Sequence, residues 1–119
     1  MLQLELPHPP SVNSYYRHVG QRTLISREGR AYRETVCRLL RGRLATPLDV
    51  ELFVSVVLYP PDRRRRDVDN RLKGLLDALQ HAGVYRDDSL IVKLTVEKRE
   101  PVPGGKTIVQ IEEFSRTAA

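Results

Sequence analysis

From residue 49 to 59 the chain reads DVELFVSVVLY, with apolar side chains at every second position: Val50, Leu52, Val54, Val56 and Leu58. A period of two puts these five on one face of a β-strand. Phe53 and Val57 fall on the opposite face, so the pattern predicts a central strand, or one buried against a dimer partner. Pro60 and Pro61 end it, because proline fixes φ and donates no hydrogen bond. Weaker alternation predicts strands at LQLEL (2–6), LIVKLTVEK (90–98) and KTIVQIEE (106–113). The last two are expected to pair as a hairpin around PVPGG.

Two segments carry a helical period instead. Ser26 is a fair N-cap, and Ala31, Thr35, Val36, Leu39 and Leu40 form a stripe running to about Arg43, before Pro47. Leu72, Leu75, Leu76 and Leu79 predict a second helix from about Asp69 to Ala82, with Gly83 as its stop. Between the first strand and first helix, PHPPSVNSYY has too many prolines for regular structure, and residues 11–25 read as an exposed loop with a small hairpin around Gly20. The order β-α-β-α-β-β predicts an α/β two-layer (α+β) domain, two helices packed on one mixed sheet. With no repeat or linker, residues 1–119 read as a single domain, and FSRTAA (114–119) as a frayed tail.

Composition narrows the function. At 119 residues the chain can bury a core, yet it is near the size at which dimerisation adds useful stability. No run approaches the roughly 20 apolar residues of a membrane span. MLQLELPHPP lacks the features of a signal peptide, and the lone Cys37, a buried inert thiol in a helical pattern, fits a reducing compartment. A cytoplasmic location follows, without a membrane partner. The net charge is +5 and the sequence pI about 9.7, so a polyanion is a natural partner. The cations are 16 Arg and 4 Lys, and arginine forks match phosphate oxygens in pairs. A GC-rich genome would raise the arginine count too, so position matters more. Between Arg17 and Arg43 lie eight arginines and only two acids, Glu28 and Glu34.

The chemistry concentrates in DRRRRDVDNRLKGLLDAL (62–79). Asp67 and Asp69 are two apart, and in an extended chain both carboxylates point one way. Paired oxygen ligands suit Mg²⁺, or Mn²⁺, which keeps waters and accepts a substrate phosphate. Such an ion activates water and neutralises charge at phosphorus. The competing structural reading makes Asp69 the helix N-cap, with Asp67 favouring the dipole. Asn70 adds a polar contact beside the pair, and Lys73 lies four residues beyond Asp69 on the same helix face, where it can pair with Asp69 or hold a phosphate. A second acidic pair, Asp87-Asp88, precedes a strand and by itself reads as a turn. A helix of this length is about 20 Å long. The GVYRDD segment therefore has to run back along it, or the second pair has to come from a partner subunit. Charge runs are ordinarily solvated surface, but Arg63, Arg64, Arg65 and Arg66 repel one another in sequence, and a phosphate backbone would relieve that repulsion.

PDRRRRDVDNRLKGLLDAL followed by HAGVYRDDSLI resembles the RusA family of Holliday-junction resolvases, as do PPSVNSYYRH and RTLISREGRAYR near the start. The similarity spans about residues 4–96. It implies a RusA-like homodimer, bacterial or phage-encoded, that binds four-way branched DNA and makes paired Mg²⁺- or Mn²⁺-dependent nicks in strands of like polarity, in recombination and repair. By position, Asp67, Asp69 and Asp88 would be the catalytic metal-binding carboxylates, with Asp87 a neighbour. Lys73 would be the catalytic lysine at the scissile phosphate. Arg66 and the arginines before it would face DNA. Val68 stands where leucine is expected, the sole departure noted at the motif.

Beside these, Tyr15 and Tyr16, next to Arg17 and His18, are expected to stack on bases or at a junction centre, or else to pack on the core. His8 and His81 read as structural. Two other readings stand alongside: a nuclease for flaps or forks, and a non-catalytic basic DNA-binding module whose acids are caps and turns.

Overall fold

The computed structural model describes residues 2–116. Its core is a four-stranded sheet in the spatial order β1-β6-β4-β5, made of β1 (Leu2–Leu6), β4 (Leu52–Tyr59), β5 (Ile91–Lys98) and β6 (Lys106–Glu113). Strand β4 is central, antiparallel to β6 and parallel to β5, and β1 runs antiparallel to β6 at one edge. The sheet is therefore mixed, as expected for the RusA-like α/β class.

The alternation in β4 is realised in its burial. Leu52, Val54, Val56 and Leu58 are all buried, while the residues between them are partly covered. Val50 is 43 % exposed, because the strand begins two residues later than the apolar pattern does. The expected hairpin between β5 and β6 does not form. Strand β4 lies between them, so the PVPGG segment crosses over β4 instead of turning tightly. Both strands alternate as a hairpin would, and alternation carries no information about which neighbour a strand pairs with.

Helix α2 (Arg27–Leu40) and helix α3 (Leu72–His81) pack against each other and on the sheet. In α2 the buried face is Gly29, Tyr32, Val36 and Leu40, whereas Leu39 is 49 % exposed and Ala31 is exposed. The stripe read from the sequence was rotated, because an aromatic residue, Tyr32, takes the core position. Its hydroxyl donates to the carbonyl of Pro7 at 2.9 Å. Helix α3 buries Leu75, Ala78 and Leu79 and stops at Gly83, whose φ of 81° is left-handed.

The segment read as a loop contains one helical turn, α1 (Val12–Tyr15), and a hairpin of β2 (Tyr16–Val19) and β3 (Arg22–Ile25). Residues 114–116 are not frayed. Phe114 N–H donates to the Glu51 carbonyl at 2.9 Å, and Arg116 makes a forked ion pair with Glu51 at 2.7 and 2.9 Å. Residues 117–119 lie outside the described residues. Among the described residues no helix is long and apolar enough to cross a membrane.

Candidate active site

After β4 ends, residues 62–67 run without regular structure into a 3-10 turn, Val68–Arg71, which leads directly into α3. Asp67 is extended, at φ −81° and ψ 141°, but the chain coils immediately after it. The D-x-D pair is thus split across a strand-like residue and a turn. Neither Asp67 nor Arg71, the residues flanking the turn and α3, makes a side-chain cap hydrogen bond. Asp69 lies inside the turn, so the helix-cap reading of this pair fails. The turn packs against β5, and Lys98 of that strand donates to the Arg66 carbonyl at 2.9 Å, pinning the approach to Asp67.

The carboxylates sort into two groups. Of the seven aspartates, Asp49, Asp62 and Asp77 are paired to Arg86, Arg66 and Arg33. Asp87 caps the 3-10 turn Asp88–Leu90, accepting from Ser89 N–H at 3.0 Å, so the turn reading of that residue holds. This hydrogen bonding holds the Asp87 carboxyl below the usual range. The remaining three are Asp67, Asp69 and Asp88. All three are exposed, and their side chains make no hydrogen bond or ion pair among the described residues. In a chain with 20 cationic side chains, these three aspartates keep carboxylate oxygens open to a cation.

These three are not gathered into one cage. Among the described residues no three His, Cys, Asp or Glu side chains converge as metal ligands. Asp67, just before the turn, and Asp69, inside it, are both exposed. Asp88 sits at the other end of α3, where its backbone N–H donates to Gln80 Oε1 at 2.9 Å. Two exposed carboxylates fit Mg²⁺, which commonly takes one or two from the protein and fills its octahedron with water and phosphate oxygens.

Lys73, in the first turn of α3, is exposed and makes no ion pair among the described residues. Its Nζ lies 5.3 Å from the Tyr16 ring centre, a cation–π contact. Tyr16 packs edge-on to Tyr15, with ring centres 4.7 Å apart. Burial pushes the Tyr16 hydroxyl up, with Asp77 and Asp88 adding to the effect and Arg33 opposing it.

Tyr15 is fully buried, and the expectation that it stacks on DNA is corrected. Its hydroxyl donates to Asp77 and accepts from Arg33 Nε at 3.0 Å, while Arg33 also grips Asp77 at 2.7 Å. Burial and the Asp77 contact hold that hydroxyl far above the ordinary tyrosine range. Nothing in the sequence flagged this triad, because its members come from α1, α2 and α3. Arg71 is also committed inward, donating to the Pro9 carbonyl at 3.1 Å.

The arginine run splits likewise. Arg66 is only 12 % exposed and is held by Asp62 at 2.7 Å, with further bonds to the carbonyls of Asp62 and Arg64. It braces the loop and does not face outward. The Arg66 guanidinium, with the Arg64 N–H at 2.9 Å, drops the Asp62 carboxyl to about 2. Arg63 meets Glu100 at 2.9 Å and Arg64 approaches Asp62 at 3.9 Å, both from side chains about four-fifths exposed (79 % and 81 %). Arg65 and Arg17 are exposed and without a partner among the described residues. Asn70 turns inward, its Oδ1 accepting from Val12 N–H at 3.4 Å. Arg63, Arg64, Lys98 and Arg99 line an open cleft of about 660 Å³ beside Tyr59.

Fold and site together define a small, basic α+β domain with an exposed lysine and three aspartates unpaired among the described residues. The comparisons place it more narrowly. Residues 7–112 match the family described as Endodeoxyribonuclease RusA. Over 115 residues, 93 % of each chain, it is 44 % identical to the crossover junction endodeoxyribonuclease RusA of Enterobacteria phage 82. It is 42 % identical to the protein of that name from Escherichia coli (strain K12), and 43 % to that of Shigella sonnei (strain Ss046), with the same coverage. The chain belongs to the RusA endodeoxyribonuclease family.

Proposed function

We propose that this protein is an endodeoxyribonuclease that resolves four-way DNA junctions, as a homodimer and with Mg²⁺ or Mn²⁺, in recombination and repair. One observation carries the reading. In a family whose relatives are named crossover junction endodeoxyribonucleases, the aspartates without a side-chain partner among the described residues are Asp67, Asp69 and Asp88, the three at the motif positions.

Asp67, just before the turn, and Asp69, inside it, would hold the cation. A metal bound there would activate water and neutralise charge on the attacked phosphate. Lys73 would contact the scissile phosphate, its ammonium stabilising the charge that develops on the phosphate oxygens. Asp88, at the far end of α3 beside Gln80, would be the third carboxylate. Arg63, Arg64 and Arg65 would lie along the phosphate backbone, their surface ion pairs to Glu100 and Asp62 being weak enough to exchange for phosphate.

The dimer reading rests on symmetry and on an unfinished edge. Two nicks in strands of like polarity need two equivalent sites, which a two-fold dimer supplies. Strand β5 is a sheet edge with Val92 and Leu94 each 39 % exposed, a surface that monomers ordinarily protect.

The test is incubation of the purified protein with a synthetic four-way junction and, separately, a 5′ flap, with and without Mg²⁺. Paired symmetric nicks in the junction that need the metal support the proposal. Cleavage of the flap alone favours a different branched-DNA nuclease. Tight junction binding with no cleavage of either substrate in Mg²⁺ favours a non-catalytic DNA-binding module.

A further inference from the structure

The hairpin Tyr16–Ile25 has no counterpart in the core. It forms its own two-stranded sheet, detached from the main one. Two-stranded hairpins are marginally stable alone, so this one depends on its root. There Ser26 N–H donates to the Tyr15 carbonyl at 2.9 Å and Ser26 Oγ binds the same carbonyl at 3.0 Å. Gly29 leaves room for that carbonyl, which a Cβ on α2 would strike. The root is clamped, and the rest is bare.

Its sequence, YRHVGQRTLI, contains no acid and carries Arg17, His18 and Arg22. Residues 17–23 are all exposed. Val19 pairs with Arg22 across a two-residue turn, Gly20-Gln21, with Gly20 at φ 63° and no positive φ at Gln21. Glycine first in the turn suits a tight hairpin end that projects cleanly. Val19, at this tip, is 49 % exposed and stabilises nothing in the core. The Arg17 and Arg22 side chains have no hydrogen-bond partner among the described residues. The other end of β2 is Tyr16, against Lys73. A finger that is cationic along its length, apolar at its tip and rooted at the candidate active site suits nucleic acid whose base stack is interrupted.

We infer that the β2–β3 hairpin inserts at the branch point of the junction, with Val19 against unstacked bases and Arg17 and Arg22 on the flanking phosphates. The inference rests on the junction-cleavage reading and adds what selects the branch. Three residue steps separate Tyr16 from Val19, about 10 Å of strand. With the further 5.3 Å from the Tyr16 ring to Lys73, a phosphate at Lys73 lies about 15 Å from the tip, roughly four to five base-pair steps. A continuous duplex offers no opening for Val19, whereas a branch point does. Insertion of an apolar side chain at a weakened step is an established way for a protein to trade base stacking for contact.

The test uses the full chain and a four-way junction with 2-aminopurine at the branch, in chelator so that no strand is cut. Wild type should raise the fluorescence on binding, and the same probe placed mid-arm should not respond. Val19→Ser should cut the rise by about half or more, with an unchanged thermal midpoint as the folding control. Arg17→Gln together with Arg22→Gln should lower the salt slope of junction binding by about 2. A bound junction with no fluorescence rise, or an equal rise with Val19→Ser, overturns the inference and leaves junction cleavage standing. No binding of the junction by wild type overturns both.

Discussion

Lys73 Nζ sits 5.3 Å from the centre of the Tyr16 ring, and that ring rests on Tyr15, which is locked to Asp77 and Arg33. The exposed lysine of the candidate site is thereby tied to the buried core through two aromatic rings. If Tyr16 holds the ammonium in place, Tyr16→Phe keeps the ring face and should nick a junction at near the wild-type rate. Tyr16→Leu loses the contact and should be slower by about two- to fivefold at saturating DNA. Single-turnover rates decide it, and equal rates for the two variants would remove Tyr16 from any positioning role.

The three unpaired aspartates and the capping one should separate in stability as well as activity. Asp67→Asn and Asp88→Asn remove no hydrogen bond, so their urea midpoints should match wild type while nicking is lost and junction binding is kept. Asp87→Ala removes a cap to Ser89 and should lower the urea midpoint slightly while still nicking. Wild-type nicking by Asp67→Asn would displace the proposed metal site.

A Cβ at Gly29 would meet Ile25 Cγ1 at 2.8 Å as well as the Tyr15 carbonyl, which is backbone and cannot swing aside. Gly29→Ala gains about 1 kcal/mol of helix propensity but forces the hairpin root away from α2, which typically costs 1–3 kcal/mol. A net fall in the urea midpoint is expected. A rise would mean that the root moves freely.

His8 provides a pH signature. Burial drops its pKa from 6.5 to about 4, with the Arg71 and Arg66 charges adding to the effect. Between those values the unfolded chain binds a proton that the native one excludes, so stability rises with pH across this window and is lost on acidification. The thermal midpoint should fall from pH 6.5 to 4.5, and His8→Asn should flatten that fall. Parallel pH profiles for the two proteins would contradict the burial of His8.

Much of this was legible in the chain. The β4 alternation gave a central strand, the Leu72–Leu79 spacing gave α3, and the acidic motif marked the candidate site. What the sequence hid was non-local. Strand partners of β5 and β6 depend on β4 lying between them, which alternation cannot express. Tyr15 and Tyr16 are adjacent yet have opposite fates, because Tyr15 ends the α1 turn facing α3 and Tyr16 begins the hairpin. Arg66 and Arg65 are likewise neighbours, one folded onto Asp62 and the other exposed. A run of identical charges says nothing about which members find a partner within the loop.

The central claim is that the unpaired aspartates cut the DNA that the arginines hold. It is tested most directly by Asp69→Asn and wild type, side by side on one four-way junction with Mg²⁺, with binding and nicking both measured. The account predicts that both proteins bind and that only wild type makes paired symmetric nicks. Paired nicks by Asp69→Asn at the wild-type rate would contradict it.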